Sequence, residues 1–198
     1  MTEERRQKFE KVLVHRQNDL TVVLENVFDP HNISAVMRSC DAIGIQEIFV
    51  LNTQIQRHKK WGFRSSSSAA KWLTVHQFED TDACFAAIRK SYSSIFTTSL
   101  TAHSINLYSM DLTRSMALVF GNEHSGVSKE INALADGNFL IPQVGMIQSL
   151  NISVACAVTL YEAYRQKHIA GHYKNQKIPQ VLYDQLFNKW ALNHEADF

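Results

Sequence analysis

The sequence predicts an α/β fold in which helices flank a mostly parallel sheet. Apolar, β-branched runs of strand length alternate with segments whose apolar residues recur at helical spacing. This alternation is typical of parallel sheets, whose strands are buried on both faces. The 198 residues suit one domain, and 45% hydrophobic and 20% charged residues are ordinary globular values. We therefore expect a single domain over residues 1–198, with short helical extensions at about 1–18 and about 172–198.

The first half of the chain is expected to begin with a helix, a strand and a second helix. An apolar stripe predicts a helix from Thr2 to about Arg16, and the β-branched run from Leu20 to Val27 predicts a buried strand. Asp29 and Pro30 are typical of a helix start, as N-cap and first helical residue. Gly44 is typical of a helix end.

The second predicted helix has one apolar and one polar face. The apolar face consists of Ile33, Val36, Met37, Cys40 and Ile43. Ser34, Arg38 and Asp41 are expected on the opposite, polar face. The next strand, Ile48 to Leu51, ends at Asn52 rather than at a ribose-binding acid, and the turn before the helix lacks glycine. Both features disfavour a dinucleotide-dependent dehydrogenase.

Residues 52–72 form the longest irregular stretch, and basic residues lie beside aromatic ones there. The basic residues are Arg57, Lys59, Lys60, Arg64 and Lys71, and the aromatic residues are Trp61 and Phe63. This mixture suits phosphate contact and base stacking in RNA, although a serine-rich loop that binds nothing has a similar composition. Further basic residues lie near both ends of the chain: Arg5, Arg6, Lys8, Arg165 and His168. In the first helix, acidic neighbours favour a solvated mixed-charge face over an RNA-binding arm.

The second half continues the alternation of helices and strands. We expect helix Asp80–Tyr92, strand Ser94–Leu100, a loop over 101–115, strand Met116–Phe120, helix Ser128–Leu134, strand Asn138–Ile141, helix Asn151–His168 and helix Pro179–Ala191. Gly121 and Gly126 bracket Glu123 directly after a predicted strand. A carboxylate held in this way suits a functional site, and an acid that caps the next helix is the structural alternative.

The stretch from Ile141 to Ala157 joins a glycine-bearing loop to a helix. Gln148, Ser149 and Asn151 lie at the junction, where a Ser or Asn N-cap is expected. Unpaired backbone N–H groups and an irregular main chain suit a polar ligand. An ordinary strand-to-helix turn has the same spacing.

Composition limits the classes of protein to which the chain can belong. No apolar run approaches the length of a bilayer span, and the N-terminus does not resemble a signal peptide, so we expect no membrane partner. The cysteines, Cys40, Cys84 and Cys156, suit neither a disulfide framework nor a zinc site. We expect reduced thiols, a cytoplasmic location and no bound metal. The net charge is +1, so any nucleic-acid-binding surface must be local.

Three segments together resemble a known family. NISAVMRSCDAIG, LVFGNEHSGVS and IPQVGMIQSLNISVACAV are similar, in order and spacing, to the three signature motifs of the SpoU/TrmH RNA 2′-O-ribose methyltransferases of the SPOUT superfamily. The resemblance covers nearly the whole chain. It implies a C-terminal deep trefoil knot, one of the few exceptions to the rule against knots, and a homodimer with the knot at its interface. The terminal helical extensions resemble those of members that methylate guanosine 18 in the D-loop of tRNA.

The resemblance also implies a cofactor and a set of site residues. The cofactor is S-adenosyl-L-methionine, held largely by the backbone of the knot loops. The implied cofactor-binding residues are Thr98, Leu100, Gly121, Ile141, Gly145, Met146, Ser149 and Leu150. By motif position Arg38 matches the catalytic arginine, and Asn32 and Glu123 match polar residues that arrange it. Ser149 and Asn151 match the polar pair of the third motif.

The implied reaction leaves two roles open for Arg38. Removing a proton from a free guanidinium at pH 7 costs roughly 7 kcal/mol, so Arg38 is either a base in an altered environment or a charged anchor for phosphate and a developing alkoxide. The tRNA D-loop is the expected substrate. Alternatives are the tRNA wobble nucleotide, ribosomal RNA, or a non-catalytic RNA-binding role, which the intact motif residues disfavour.

Overall fold

A computed structural model describes residues 1–56, 69–101 and 103–195, and its centre is one parallel sheet of seven strands. The strands are β1 (Leu20–Glu25), β2 (Glu47–Leu51), β3 (Thr74–Phe78), β4 (Ser94–Thr98), β5 (Ile105–Asn106), β6 (Met116–Phe120) and β7 (Gly137–Leu140). Their order across the sheet is β3-β2-β1-β6-β4-β7-β5. The expected α/β fold with a largely parallel sheet is confirmed.

Seven helices accompany the strands in the described part of the chain. They are α1 (Glu3–Val14), α2 (Pro30–Ile43), α3 (Ala69–Trp72), α4 (Thr81–Ser91), α5 (Lys129–Leu134), α6 (Ile152–Ile169) and α7 (Gln180–Glu195). Helices α2 and α6 pack against each other, and their apolar residues share one core with strand residues of the sheet. Helix α4 contributes to a second core, and α1 and α7 enclose a third.

The predicted helix and strand positions are largely confirmed, and the differences lie at the sheet edges. The short helix α3 lies within the stretch predicted to be irregular, and no strand was predicted at the position of β3. All five residues of β3 are half-buried, so its sequence lacks the apolar run of an interior strand. Strand β5 has only two residues, both exposed, within the expected loop 101–115.

Helix α2 begins and ends as its sequence predicts. The Asp29 carboxylate accepts a hydrogen bond from the backbone N–H of His31 (2.8 Å), and Pro30 is the first helical residue. Gly44 ends the helix with φ +89°, and a Cβ there would lie 2.5 Å from the His15 carbonyl oxygen. The predicted polar face of α2 was wrong at Ser34, which is fully buried and donates to the Pro30 carbonyl (2.9 Å). The helix has a wider buried arc than expected because both the sheet and α6 cover it.

Two buried cations lie near the amino end of the sheet. Lys167 on α6 is fully buried, and its Nζ lies 2.8 Å from Oδ1 of Asp19, which precedes β1. Arg16 is also fully buried, and its Nη2 donates to Oδ1 of Asp41 at the end of α2 (2.6 Å). The Arg16 guanidinium also lies over the Trp190 ring of α7, 5.2 Å from its centroid. These contacts join α1, α2, α6 and α7 to the start of the sheet.

The three cysteines are buried free thiols, as the apolar positions of Cys40, Cys84 and Cys156 predicted. Burial raises the pKa of the Cys84 thiol to about 12. Burial, with Cys40 as a hydrogen-bonding neighbour, raises the pKa of Cys156 far above its ordinary value. Both thiols therefore stay protonated and unreactive near neutral pH.

Candidate functional site

A cavity of about 580 Å³ lies at the carboxyl ends of β4, β6 and β7. Such a position, beyond the carboxyl ends of parallel strands, is where open α/β sheets bind ligands. Six of the expected cofactor-binding residues line it: Thr98, Leu100, Gly121, Ile141, Ser149 and Leu150. The other two, Gly145 and Met146, do not line the cavity, and the Met146 side chain is fully exposed.

The segment between β7 and α6 forms one side of this cavity with an irregular main chain. Residues 144–150 are all exposed, and no hydrogen bond joins the backbone of 142–150 to another described residue. Asn151 ends the segment as N-cap of α6, because its Oδ1 accepts from the Ser153 backbone N–H (2.8 Å). The N–H and C=O groups of the loop are therefore available to a polar ligand.

Glu123 is held in a tight turn directly after β6. Asn122 and Gly126 exchange backbone hydrogen bonds of 3.1 and 2.9 Å across the turn. A Cβ on Gly121 would lie 2.2 Å from the backbone of Gly126 and Val127, so the turn closes only with glycine at this position. Gly126 has φ +66°, which also favours glycine, and the turn places Glu123 at the cavity wall.

Three polar side chains from separate elements meet at the cavity edge. The Asn32 side-chain amide donates to Glu123 Oε1 (2.9 Å), and its Oδ1 accepts from Asn151 Nδ2 (3.1 Å). The Phe28 backbone N–H donates to Glu123 Oε2 (3.3 Å). Partial burial alone would raise the pKa of Glu123, but the bonds from Asn32 and from nearby backbone N–H groups outweigh it and lower that pKa. Glu123 is therefore an anion at neutral pH and fixes the orientation of Asn32.

Asn26 is a residue of this region that the sequence analysis missed. It has φ +49°, a conformation that Asn tolerates better than most residues. Its Oδ1 accepts from the backbone N–H groups of Thr53 and Gln54 (both 2.9 Å), and its carbonyl accepts from Asn122 Nδ2 (2.7 Å). The turns after β1, β2 and β6 are thereby tied together. The available signal was an Asn directly after a buried strand, which also occurs in many ordinary turns.

Arg38 lies apart from this network. It is exposed on α2, and among the described residues it has no hydrogen-bonding or ionic partner. Six residues separate it from Asn32, so the two lie about 9 Å apart along the helix axis and on different sides of it. Asn32 and Glu123 therefore do not position Arg38 within the described chain, and its catalytic assignment stays a prediction.

The expected RNA-binding residues occupy several different environments. Arg6 pairs with Glu10 (3.0 Å), Arg165 pairs with Glu162 (2.8 Å), and the half-buried Arg5 lies over the Phe9 ring. Lys8 and His168 are exposed, and Lys71 is half-buried in α3. The remaining candidates lie outside the described residues: Arg57, Lys59, Lys60 and Arg64. The described residues contain no cluster of three or more metal-ligating side chains, and their helices include none long and apolar enough to cross a membrane.

Comparison with known proteins finds close relatives over the whole chain. A model of the SpoU rRNA methylase family matches residues 19–161. The tRNA (guanosine(18)-2′-O)-methyltransferase of Thermus thermophilus is 39% identical over 191 residues, which cover 96% of each protein. The crystal structure of the Aquifex aeolicus TrmH/SpoU tRNA-modifying enzyme superposes with a TM-score of 0.89 at 33% identity, covering 97% of both chains. The SpoU methyltransferase AviRb of Streptomyces viridochromogenes, solved with AdoMet, superposes with a TM-score of 0.70 at 26% identity, covering 79% of this chain and 63% of that one.

Proposed function

The chain belongs to the SpoU methylase family, and from this membership we propose that it transfers a methyl group from S-adenosyl-L-methionine to the ribose 2′-hydroxyl of guanosine 18 in tRNA. One observation carries the choice of substrate. The Thermus thermophilus relative aligns with 96% of this chain, and thus extends well beyond the family segment 19–161 into the terminal regions that contain α1 and α7.

The cavity suits S-adenosylmethionine. Its volume lies in the range of small-molecule sites. Leu100, Phe120 and Ile141 offer apolar contact for a purine ring, while the loop 142–150 offers free backbone N–H and C=O groups for its polar edge. When bound, S-adenosylmethionine supplies a sulfonium-linked methyl group, which is a strong electrophile.

The residues of the chain then have to position a ribose hydroxyl next to that methyl group and assist the loss of the hydroxyl proton. The network of Asn32, Glu123 and Asn151 is fixed before substrate arrives, so it provides preorganised polar groups at the cavity edge. The anionic Glu123 already accepts two hydrogen bonds, one from Asn32 and one from the Phe28 backbone. We assign it to orienting Asn32 rather than to removing the hydroxyl proton.

We assign Arg38 the role of stabilising the negative charge that develops on the attacking oxygen, or of binding the adjacent phosphate. Its exposure and its lack of an anionic partner among the described residues leave the planar guanidinium free for either contact. Because it lies on a different side of α2 from Asn32, it does not complete the cavity of its own subunit in the described chain. We propose that a second copy brings the two together.

A homodimer is therefore part of the proposal. Exposed apolar side chains are concentrated on the loop before α6 and on its first half: Val144, Met146, Ile147, Leu150, Val154 and Tyr161. Several large apolar side chains exposed within one short segment favour an interface there. Light scattering at micromolar concentration should give twice the chain mass of 22.6 kDa, and a monomer mass would contradict the dimer.

We further propose that the C-terminal part of the fold is tied in a trefoil knot. Strand β7 lies between β4 and β5, which precede it in the chain and are joined by residues 99–104. A later strand inserted between two earlier, connected strands is the arrangement that a threaded loop produces. The buried thiols and an RNA substrate support a cytoplasmic location.

The substrate is tested by mapping the modified nucleotide. The protein is incubated with labelled S-adenosylmethionine and an unmodified tRNA transcript, and the methylated position is located by nuclease digestion. We expect 2′-O-methylguanosine at position 18. A transcript with guanosine 18 replaced by adenosine is the matched control and should lose the label. Methylation only at the wobble nucleotide, or only of ribosomal RNA, would refute this substrate and leave the reaction class standing.

A further inference from the structure

A second groove lies at the far end of the α2–α6 helix pair, away from the cofactor cavity. It has a volume of about 390 Å³ and lies between α1, the ends of α2 and α6, and the segment after α6. Its polar and aromatic lining residues are Lys11, His15, Asp41, Tyr164, His168 and Tyr173. We propose that this groove binds an unstacked nucleobase of the tRNA substrate while another nucleotide occupies the catalytic site. The inference rests on the proposed function and names a second RNA contact for it.

One wall of the groove is an aromatic platform. The Tyr164 ring lies 5.0 Å from the Tyr173 ring and 5.6 Å from the His168 ring, measured between centroids. Tyr173 is fixed because its hydroxyl donates to the Ile43 carbonyl (2.7 Å). His168 is exposed, so one ring of the platform is open to solvent. Exposed aromatic rings of this kind stack on bases of any sequence.

Basic residues of α1 and of its C-cap lie in and near the groove, and two of them, Lys11 and His15, line it. Lys8, Lys11 and His15 are exposed along one side of α1, at a spacing of three and four residues. None of the three has a carboxylate partner among the described residues, in contrast to Arg6 and Arg165. A phosphate attached to a base on the platform would find the ammonium groups of Lys8 and Lys11 near the groove.

Asp41 provides a hydrogen-bond acceptor in the groove. Its Oδ1 is held by the buried Arg16 (2.6 Å), and its Oδ2 has no donor among the described residues. The neighbouring guanidinium neutralises its charge, so the carboxylate does not repel a nearby phosphate strongly. Its free oxygen suits a base edge that offers N–H donors.

The outside of α2 leads from Arg38 to the groove. His31, Arg38 and Ala42 are exposed, and their spacing of seven and four residues puts them on one side of the helix. The four positions from Arg38 to Ala42, which lines the groove, span about 6 Å. An RNA bound at Arg38 can therefore extend along this strip into the groove.

The outward side of α6 also divides into two parts. Its first three turns expose Val154 and Tyr161, which belong to the proposed dimer surface, whereas its last turns expose Arg165, His168 and the apolar Ile169. The basic residues Lys11, His15 and His168 in the lining of the groove favour RNA over a second protein chain as the occupant.

The test compares His168→Ala and Tyr164→Leu with the wild type on an unmodified tRNA transcript. Loss of one stacked base should raise the Kd and the KM for tRNA about five- to hundredfold, with kcat at saturating tRNA and the Kd for S-adenosylmethionine unchanged. Tyr164→Phe keeps the ring and should bind as the wild type does. Lys11→Ala should reduce the salt dependence of binding by about one counterion. Lys90→Ala, an exposed lysine of α4 outside this groove, is the matched control and should have no effect.

Two outcomes would overturn the subsite. His168→Ala and Tyr164→Leu could bind tRNA within twofold of the wild type, or His168→Ala could convert a dimer into a monomer by light scattering, which would make the groove an interface between copies. Circular dichroism shows whether Tyr164→Leu is folded. If it is not, His168→Ala still tests the subsite, because His168 is exposed and its loss should not unfold the protein. If the wild type methylates guanosine 18 and the variants bind tRNA as well as it does, only the subsite is refuted. If the wild type is inactive on tRNA, both the proposed function and the subsite are refuted.

Discussion

The two ends of the sheet carry similar polar and charged residues in opposite environments. At the amino end, Lys167 and Arg16 are fully buried and each lies within 2.8 Å of a carboxylate oxygen. At the carboxyl end, Glu123 is exposed and Asn32 is half-buried beside a cavity, and the exposed Arg38 lies further along α2. The two ends contain similar types of residue and differ in how deeply the charged side chains are buried.

The difference shows which charges stabilise the fold and which are available for chemistry. A buried charge must keep its partner, because losing it leaves the other charge without compensation. An exposed charge contributes little to stability and can form new contacts with a ligand. We therefore expect substitutions at the amino end to lower the free energy of unfolding, and substitutions at the carboxyl end to lower activity without unfolding the protein.

The largest expected effect is at Arg38. Arg38→Ala should reduce methyl transfer by about a thousandfold or more, as removal of a transition-state charge partner does. Its melting temperature should match that of the wild type, because the side chain is exposed and unpaired in the described chain. Single-turnover methylation of tRNA and thermal unfolding measure the two quantities. Near-normal turnover would remove Arg38 from the catalytic assignment.

Arg38→Lys separates the two roles that the sequence leaves open. Lysine keeps a positive charge but lacks the planar fork of the guanidinium. Substantial activity in this variant would favour the charged-anchor role.

Lys167→Met breaks a contact at the opposite end of the sheet. Removing the ammonium leaves Asp19 without its closest cation, so the free energy of unfolding should fall by about 3 kcal/mol. Arg165→Ala on the same helix is the matched control, because the Arg165–Glu162 pair is exposed on the arginine side and its loss should change stability much less. Urea unfolding of both variants measures the difference. Equal stabilities would contradict the structural role of the buried lysine.

Glu123→Ala tests the network at the carboxyl end. Asn32 and the Phe28 N–H would lose their acceptor, and the misplacement of Asn32 should lower kcat/KM about a hundredfold. Because Glu123 is exposed, water can replace the lost bonds, and the stability change should stay below about 1 kcal/mol. Glu130→Ala on α5 removes an exposed glutamate elsewhere and should leave activity intact. A Glu123→Ala variant with full activity would show that the network has no part in the reaction.

The sequence predicted the interior of the fold better than its edges. Interior strands such as β1 and β6 are fully buried, so their apolar runs identify them. Edge strand β3 is half-buried along its length and mixes polar with apolar residues. Its position depends on pairing with β2, which is not a local property of the sequence.

The candidate site shows the same division between local and long-range information. Resemblance to the family motifs identified Asn32, Glu123 and Asn151 as site residues, and the structure places them in one hydrogen-bonded network. Asn26 was missed because its role comes from contacts with residues 27 and 96 positions further along the chain. The six-residue spacing of Asn32 and Arg38 already puts them on different sides of α2, whereas the motif resemblance treats them as neighbours in one site.

The smallest expected effect concerns His172, which lies beside the buried pair at the amino end. Its Nδ1 is 3.3 Å from Asp19 Oδ2, and burial, with the positive charge of Lys167, lowers its pKa below the ordinary 6.5. The folded protein therefore excludes a proton that the unfolded chain binds. Stability should fall as the pH drops below about 6.5 and level off once the folded protein is also protonated.

His172→Gln removes this contribution and keeps a polar side chain. Wild type and variant share all other histidines, so the difference between their free energies of unfolding isolates the contribution of His172. Between pH 7.5 and 5.0 this difference should shift in favour of the variant. Urea unfolding at both pH values measures it. A pH-independent difference for His172→Gln would mean that the ring takes up its proton equally in the folded and the unfolded chain, so that burial at this end of the sheet does not extend to His172.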